Sequence, residues 1–463
     1  KPKILNNKNK NFSQNRKLLS LILRKKETAN FDGLSIDTRT IKKNNLFLAI
    51  KGKKFDGNRF VKNALKKGAG CVVTSSSIKK NNKKIIKVNE PLNFLNQFAK
   101  NKRELTSAKI IAITGSAGKT SLKNLIKNLL QNFGKTYFSP RSFNNHLGVP
   151  ISLSNLRHED KYGVFEVGMS KAGEIDKLSA LIKPHIGIIT NIGEAHIENF
   201  KNINGIAKAK SEIIDNIIPR GNIILNRDDR FFNYLSKKAK ARGLKISTFG
   251  MNKKSDICLQ KIIKKGNNFK VLIKIDNKIT TLQIGDLNIN NILSSIAVLR
   301  ELDIEISKIK NYFKNFESPA GRGRKYLINR YNKKFRLIDE SYNSNPLSLK
   351  VAINKIASIK KEKFKKFLIL GDMLELGSRS KKYHEELFKV INNSDIDKVF
   401  IKGKETIFAY KYLNKKKRGN ILQNNEDIDL SLSKMISNND YLMIKGSNAT
   451  GLNDFSKKMI RGI

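Results

Sequence analysis

The sequence predicts an α/β fold built from three consecutive units. Short apolar runs alternate with amphipathic segments along most of the 463 residues, and 39% of the residues are hydrophobic, which is enough for several cores. Many of the apolar runs end in clusters of polar residues, as the carboxyl ends of parallel strands do. The paired runs 269–275 and 278–284 predict an antiparallel hairpin, which closes the second unit. We predict that the three units are residues 1–105, 106–317 and 318–463.

The first unit is predicted to alternate strands and helices around polar loops. The runs 46–50 and 69–74 predict strands, and the segment 59–67 predicts a helix between them. The loops contain the sequences DTR at 37–39 and FDG at 55–57. Taken alone these are ordinary turn residues, so the pattern assigns this unit no function.

The second unit opens with IIAITGSAGKTS at 110–121, which predicts a phosphate-binding loop. A short apolar run predicts a buried strand, a glycine turn follows it, and an amphipathic helix begins after the turn. Glycines allow backbone N–H groups to point at phosphate oxygens, and the helix N-terminus adds partial positive charge. Lys119 is expected to neutralise the phosphates, and the Thr120 hydroxyl to bind Mg²⁺. The alternative is an ordinary strand-to-helix turn.

Two further strands of the second unit are predicted to end beside metal-binding side chains. The run 164–167 contains Glu166, and the run 186–190 is followed by NIGEAH, which ends at His196. A carboxylate and an imidazole at these strand ends can complete the coordination of the Mg²⁺ at Thr120, or of a second Mg²⁺. Because magnesium prefers oxygen ligands, a structural role is the alternative for His196.

The third unit is predicted to be a Rossmann-like domain. Its apolar runs alternate with helical segments and lie at 335–338, 367–370, 398–401 and 441–444. DESYNSNP at 339–346 follows the first run, and LGDMLELG at 370–377 includes the end of the second. A plain turn does not need this density of Asp, Glu, Tyr and Asn, so both loops are candidate ligand sites. The sequence Pro-Ala-Gly at 319–321 offers a hinge between the second and third units.

The formal net charge of +53 raises the alternative of a basic P-loop protein that binds nucleic acid. Lysines are spread over the whole chain, and we interpret the runs at 79–84, 360–366 and 415–418 as solvated turns and helix ends. We therefore expect no nucleic-acid partner.

No apolar run is long enough to span a membrane, so no membrane insertion is expected. We expect a cytoplasmic monomer in which Cys71 and Cys258 are reduced and buried.

Nine motifs along the chain resemble those of the Mur ligases, in the same order. They are TGSAGKTS, NNHLGVP, EVGMS, TNIGEAHIENF, AKAKSEI, LNRDD, DESYNSNP, LGDMLELG and MIKGS. The resemblance implies an N-terminal domain for a UDP-sugar, a central ATPase domain with a parallel sheet, and a C-terminal Rossmann-like domain. DESYNSNP and LGDMLELG are similar to the member that joins D-Ala-D-Ala to the C-terminal carboxylate of UDP-MurNAc-tripeptide. That reaction uses ATP and Mg²⁺ and passes through an acyl phosphate.

The resemblance also implies roles for particular residues. The implied catalytic residues are Lys119, Glu166, His196, Lys210 and Arg322. The implied metal ligands are Thr120, Glu166, His196 and Lys210, the last at a position where some members carry a carbamylated lysine. The predicted ATP-binding residues are Thr114, Gly115, Ser116, Ala117, Gly118, Lys119, Thr120, Ser121, Asn288, Asn291 and Asp339. The implied substrate-binding residues are Ser35, Asp37, Arg39, Asn144, Asn145, Tyr342, Asn343 and Asn345.

Other functions remain open at this point. Another Mur ligase, or an amide ligase similar to folylpolyglutamate synthase, is the nearest alternative, although the DNPR motif typical of the diaminopimelate-adding member is absent. The nucleic-acid-binding alternative leaves DESYNSNP and LGDMLELG unexplained. A binding module without catalysis is a third alternative, against which the intact Lys119, Thr120, Glu166 and His196 argue. The segment usually written GRHN differs here at Asp286 and Leu287.

Overall fold

The computed structural model describes residues 2–26, 29–52, 55–76, 82–265, 268–285, 288–360 and 363–462. Within these residues three sheets follow one another along the chain, and helices flank each of them. The α/β class and the order of the sheets agree with the pattern of apolar runs. Asp286 and Leu287, the two unusual residues on the adenine side, lie outside the described residues.

The first sheet is parallel and small. Its strands are β1 (Leu34–Ser35), β2 (Leu46–Leu48), β3 (Cys71–Thr74) and β4 (Ile85–Lys87), in that spatial order. Its helices are α1 (Pro2–Leu23), α2 (Val61–Lys66) and α3 (Pro91–Leu105). Helix α1 was not predicted from the sequence, because its Lys and Asn residues obscure the apolar periodicity. The helix buries Leu18 and Leu19, and Lys102 of α3 donates to Asn15 of α1 at 2.8 Å.

The central sheet has the order β13-β12-β11-β10-β9-β8-β5-β7-β6. Its strands are β5 (Lys109–Thr114), β6 (Thr136–Phe138), β7 (Tyr162–Glu166), β8 (Ile186–Ile189), β9 (Asn222–Asn226), β10 (Lys245–Gly250), β11 (Ile257–Lys265), β12 (Asn268–Ile275) and β13 (Lys278–Ile284). Its helices are α4 (Lys119–Leu130), α5 (Gly148–Ser154), α6 (Glu174–Ile182), α7 (Ile203–Asp215), α8 (Phe232–Ala241), α9 (Ile289–Glu301) and α10 (Lys310–Lys314). The strands pair in parallel from β6 to β11, and β11, β12 and β13 are antiparallel, so the predicted hairpin is present.

The C-terminal sheet has the order β14-β15-β19-β16-β17-β18. Its strands are β14 (Arg324–Arg330), β15 (Lys333–Glu340), β16 (Lys366–Gly371), β17 (Lys398–Lys402), β18 (Arg418–Ile421) and β19 (Tyr441–Lys445). Its helices are α11 (Pro346–Ala357), α12 (Ser380–Asn392), α13 (Lys404–Ala409), α14 (Asn425–Met435) and α15 (Leu452–Arg461). The sheet is parallel except for β14, an antiparallel edge strand that the sequence analysis missed. Its charged residues hide the strand pattern, because one face of an edge strand meets solvent.

One lysine run contradicts the interpretation of such runs as solvated. Lys366, at the end of the run 360–366, is 0% exposed at the start of β16. Its ammonium group donates to Ala357 O at 2.9 Å and lies 3.0 Å from Asp395 Oδ2. Such pairing is what usually allows a lysine to be buried, so position in a run does not by itself predict exposure.

A buried imidazole supports the strand that leads to the phosphate-binding loop. His185 Nδ1 accepts a hydrogen bond from Ile110 N at 2.9 Å, and burial lowers the pKa of His185 to about 4. The unfolded chain holds the proton up to about pH 6.5, so folding stability is fully present above that pH and is lost as the pH falls towards 4. We expect a loss of about 2 kcal/mol after allowance for the ring's partial exposure.

Thermal or urea unfolding between about pH 4 and pH 6.5 measures how the free energy of unfolding varies with pH. The native chain is compared with the His185→Asn variant. The asparagine can keep an acceptor near Ile110 N but cannot take up the proton, so its stability should vary less with pH. Equal pH profiles for the two proteins would contradict the assignment.

None of the helices in the described part of the chain combines the length and apolar character that a membrane crossing requires. Cys71 and Cys258 are both buried, as the sequence analysis predicted.

Candidate active site

A cavity of about 970 Å³ lies between the central and C-terminal sheets. The central sheet contributes the turn after β5 and the loops after β7 and β8, and the C-terminal sheet contributes the loops after β15 and β19. These loops meet because parallel strands place their carboxyl ends on one edge of a sheet. β5 pairs with both β7 and β8, with Ile113 opposite Glu166 and Thr114 opposite Ile189.

The glycines of the turn after β5 are required by its geometry. Gly115 has φ 143°, and a Cβ there would lie 1.9 Å from the Thr190 hydroxyl oxygen. Gly118 has φ 86° and precedes the first residue of α4. Both backbone conformations are unfavourable for other residue types. The turn can therefore pack tightly against the end of β8 while α4 starts beside the cavity.

The turn is held in place by the loop that follows β8. The Thr190 hydroxyl donates to Ala117 O at 2.7 Å, and Ala117 N donates to Asn191 Oδ1 at 2.8 Å. Ser116 Oγ donates to Gly193 O and accepts from Gly193 N, each at 2.8 Å. Ser116, Ala117, Gly118, Lys119, Thr120 and Ser121 line the cavity, whereas Thr114 and Gly115 are not among its lining residues.

Lys119 is half-buried and lines the cavity. Its ammonium group donates to Gly115 O at 2.7 Å. Burial lowers the pKa of Lys119, the charge of Glu166 opposes this effect, and the charge of Arg322 adds to it. A half-buried cation next to a second cation is an arrangement suited to an anionic ligand.

Glu166 is the centre of a buried polar network. The Thr120 hydroxyl donates to Glu166 Oε2 at 2.9 Å, and Asn144 Nδ2 donates to Glu166 Oε1 at 2.8 Å. The ammonium group of Lys123 lies 3.7 Å from Glu166 Oε2 and also donates to Arg141 O. Lys123 could not be predicted as a site residue, because one lysine cannot be singled out in a chain that has so many.

Two further predicted ligands, His196 and Lys210, also line the cavity. His196 Nδ1 lies 2.6 Å from Glu375 Oε2, which belongs to LGDMLELG. The Lys210 side chain is buried on α7, and it makes no hydrogen bond or ion pair with the residues that the structure describes. Burial, and after it the charge of Lys119, holds the pKa of Lys210 well below its usual range.

The C-terminal sheet completes the opposite wall. The Arg322 guanidinium lies 4.3 Å from the centre of the Tyr342 ring, and Asn345 Nδ2 donates to Ser116 O of the phosphate-binding turn at 3.1 Å. Lys445, at the end of β19, lies 3.5 Å from Glu340 Oε2 and donates to Asn343 O at 3.1 Å. Lys445 and Glu340 both line the cavity, and the sequence analysis named neither as a site residue, although both lie in its motifs.

The remaining predicted residues fall into two groups. Asn144, Asn145, Asn288, Asn291, Tyr342, Asn343 and Asn345 line the cavity. Ser35, Asp37, Arg39 and Asp339 are not among its lining residues. Asp339 is 2% exposed and accepts from Gly321 N at 2.8 Å and from the Ser341 hydroxyl at 2.6 Å. Arg39 pairs with Asp37 at 2.8 Å on the surface of the first domain.

Three family models match consecutive parts of the chain. They are described as "Mur ligase family, catalytic domain" at residues 30–103, "Mur ligase middle domain" at 113–299 and "Mur ligase, glutamate ligase domain" at 323–448. A protein of Rickettsia prowazekii named UDP-N-acetylmuramoyl-tripeptide–D-alanyl-D-alanine ligase is 34% identical over 92% of this chain and 94% of its own. The chain belongs to the Mur ligase family.

Other Mur ligases agree with this assignment. A Buchnera aphidicola protein with the same name as the Rickettsia one is 35% identical over 92% of both chains. MurF from Acinetobacter baumannii has a similar structure, with a TM-score of 0.84, 25% identity and coverage of 96% of this chain and 98% of that one. MurF from Thermotoga maritima, solved in complex with ADP, has a TM-score of 0.79, 24% identity and coverage of 93% and 97%. The three-domain Mur ligase architecture predicted from the motifs is thus confirmed, while the limits at 105 and 317 stay predictions.

Proposed function

We propose that this protein is an ATP-dependent amide ligase that joins D-Ala-D-Ala to the C-terminal carboxylate of UDP-MurNAc-tripeptide. The product is a precursor of peptidoglycan. The observation that carries the proposal is the contact between two motifs, in which Asn345 of DESYNSNP donates to Ser116 of the phosphate-binding turn. The motif typical of this family member therefore forms one cavity with the nucleotide loop. The names of the relatives support the same reaction.

The first step transfers the γ-phosphoryl group of ATP to the tripeptide carboxylate. Two anions repel each other, so the site has to neutralise charge where they meet. We assign this role to Lys119, the first residue of α4, and Arg322 would add a second positive charge from the C-terminal side. Asn288 and Asn291 lie on the nucleotide side of the same cavity, where Asn291 Nδ2 is 3.4 Å from Gly118 O.

The oxygen donors beside the turn fit a magnesium ion. The Thr120 hydroxyl and Glu166 Oε2 are 2.9 Å apart, and magnesium is usually bound by one or two carboxylates together with phosphate oxygens. Thr120, Glu166, His196 and Lys210 would hold the metal, with Lys210 as a carbamate. When bound, magnesium supplies positive charge to the phosphoryl group during transfer. Asn144 and Lys123 keep the Glu166 carboxylate in place through the contacts described above.

The second step belongs to the C-terminal wall of the cavity. The amine of D-Ala-D-Ala attacks the acyl carbon, the amide bond forms, and phosphate leaves with the C–O bonding electrons. We assign substrate binding here to Tyr342, Asn343 and Asn345, which line the cavity. The contacts of Lys445 with Glu340 and Asn343 support the loop that carries them. The position of the acyl phosphate between the two walls would limit its contact with water. We place the enzyme in the cytoplasm, where ATP is available, and propose that it acts as a monomer.

Release of ADP, measured with purified protein, ATP, Mg²⁺ and UDP-MurNAc-tripeptide, tests this proposal. We expect sustained release only when D-Ala-D-Ala is also present, because the dipeptide amine is the nucleophile that discharges the acyl phosphate. Free diaminopimelate and L-glutamate serve as matched controls, and each should support less than about a hundredth of the rate. If either amino acid replaced the dipeptide, another family member's reaction would be the correct one.

A further inference from the structure

The C-terminal wall of the cavity contains a buried cation to which the proposed mechanism gives only a supporting role. Lys445 is the last residue of β19, and it lines the cavity although its side chain is 2% exposed. The cations assigned to the phosphoryl group, Lys119 and Arg322, line the same cavity. Burying an ammonium group costs free energy that a paired anion has to offset. The anions that Lys445 can meet therefore decide what it does.

Lys445 lies at the position where ligands bind in open α/β sheets. It ends β19, and its partner in the parallel register is Glu340, which ends β15. The helix after β15, α11, shares a core with Met443, whereas the helix after β19, α15, shares one with Leu442. Adjacent residues of a strand point to opposite faces, so these two helices cover opposite faces of the sheet. The carboxyl ends of β15 and β19 thus border the crevice that ligands use in this type of sheet.

The contacts of Lys445 leave its charge incompletely paired. Its ammonium group donates to Asn343 O at 3.1 Å and lies 3.5 Å from Glu340 Oε2. Direct bonds between an ammonium group and a carboxylate are about 2.7–2.9 Å long, so the contact with Glu340 is a loose one. An ammonium group has three N–H donors, and within the described part of the chain Lys445 makes these two contacts. A donor therefore remains for a ligand.

The electrostatics around Lys445 also favour an anionic ligand. Burial lowers the pKa of Lys445, the charge of Glu340 opposes this effect, and the charge of Arg322 adds to it. The charge of Arg322 lowers the pKa of Lys119 as well, so Arg322 lies within electrostatic reach of both lysines. An anion bound at Lys445 would offset the charge of Arg322 and stabilise the ammonium form.

We propose that Lys445 determines the specificity for the acceptor by binding the free carboxylate of D-Ala-D-Ala. This inference rests on the proposed function and adds the group that recognises one end of the dipeptide. The γ-phosphoryl group and the tripeptide carboxylate meet near Lys119 and Arg322, whereas the dipeptide brings another carboxylate to the C-terminal wall. Glu340 is the counter-charge that remains when the dipeptide is absent. With its carboxylate on Lys445, the dipeptide keeps its amine free to attack the acyl carbon.

A pair of acceptors separates carboxylate recognition from other roles of Lys445. D-Ala-D-alaninamide has the amine and the side chains of D-Ala-D-Ala but carries no carboxylate. ADP release is measured with each acceptor at fixed, saturating ATP, Mg²⁺ and UDP-MurNAc-tripeptide. We expect the native protein to prefer D-Ala-D-Ala by about 10²-fold or more in kcat/KM, because the amide leaves a buried ammonium group without its anion. Lys445→Met should remove this preference by lowering kcat/KM for D-Ala-D-Ala alone.

Further variants serve as controls. Lys445→Arg should keep part of the preference, because a guanidinium group still binds a carboxylate. Lys402→Met is the matched control, since Lys402 is the last residue of β17 and is not among the residues that line the cavity. It should keep the full preference. Thermal unfolding checks that each variant is folded, and Lys445→Gln replaces Lys445→Met if the latter is not.

The outcomes that contradict the proposal are distinct. An equal loss of kcat/KM with both acceptors in the folded Lys445 variant would show a structural role and overturn the proposal. A higher KM for UDP-MurNAc-tripeptide with an unchanged acceptor preference would place the anion of Lys445 on that substrate instead, which also overturns it. An active native protein that uses both acceptors equally overturns the proposal alone. Inactivity of the native protein with both acceptors overturns the proposed function, and the proposal with it.

Discussion

Lys119→Ala should lower the rate of ADP release about 10²-fold or more, because it removes the cation at the centre of the phosphate-binding turn. The fold should survive the change, since the ammonium group contacts Gly115 O and no apolar core depends on it. Steady-state assays of ADP release, with circular dichroism and thermal unfolding to verify the fold, measure both effects.

Lys127→Ala is the control for Lys119→Ala. Lys127 lies on the same helix, and its ammonium group rests 4.6 Å from the centre of the Phe138 ring, away from the turn. We expect its activity to be close to that of the native protein. Near-normal turnover by a folded Lys119→Ala protein would show that the turn does not bind the transferred phosphoryl group.

Replacing Lys210 should have an effect of similar size, for a different reason. Its amine is buried, and its pKa is held well below the usual range because burial disfavours the charged form. An uncharged amine is nucleophilic and can react with CO₂ to form a carbamate, which is an anion able to bind metal. We expect Lys210→Met to fold, because its side chain is apolar and similar in length, and to lose about 10²-fold or more in kcat.

The variant Lys210→Arg distinguishes between two roles of Lys210, that of a carbamate and that of a positive charge. Arginine keeps the charge but cannot form the carbamate, so we expect this variant to be as inactive as Lys210→Met. Lys208→Ala, an exposed change on the same helix, is the control and should be fully active. In ¹³C NMR, native protein equilibrated with ¹³C-bicarbonate should show a carbamate resonance that Lys210→Met lacks. High activity of Lys210→Arg, or no such resonance, would contradict a carbamate at Lys210.

Much of the fold could be predicted from local pattern. The strand, turn and helix at 110–121 appear as β5 and α4, and the apolar runs that contain Glu166 or precede His196 appear as β7 and β8. The strands are short apolar runs and the helix is amphipathic, and both patterns can be recognised from residues that are adjacent in the sequence. Two of the elements that were missed, α1 and β14, carry many Lys, Asn and Arg residues in the sequence, and their packing on neighbours outweighs that local composition.

By itself the sequence determined the α/β class, the phosphate-binding turn and the family, because each depends on residues close together or on motifs in a fixed order. Only the tertiary structure decided which charged groups meet. It placed Lys123 beside Glu166, Asn345 on Ser116 and Glu375 on His196, and it buried Asp339 away from the cavity lining. Such pairs are separated by tens to hundreds of residues, so their contacts depend on strand order and domain packing. The spacing of residues in a sequence reveals neither strand order nor domain packing. In a chain with 92 Lys and Arg residues, the charges alone cannot identify which groups pair.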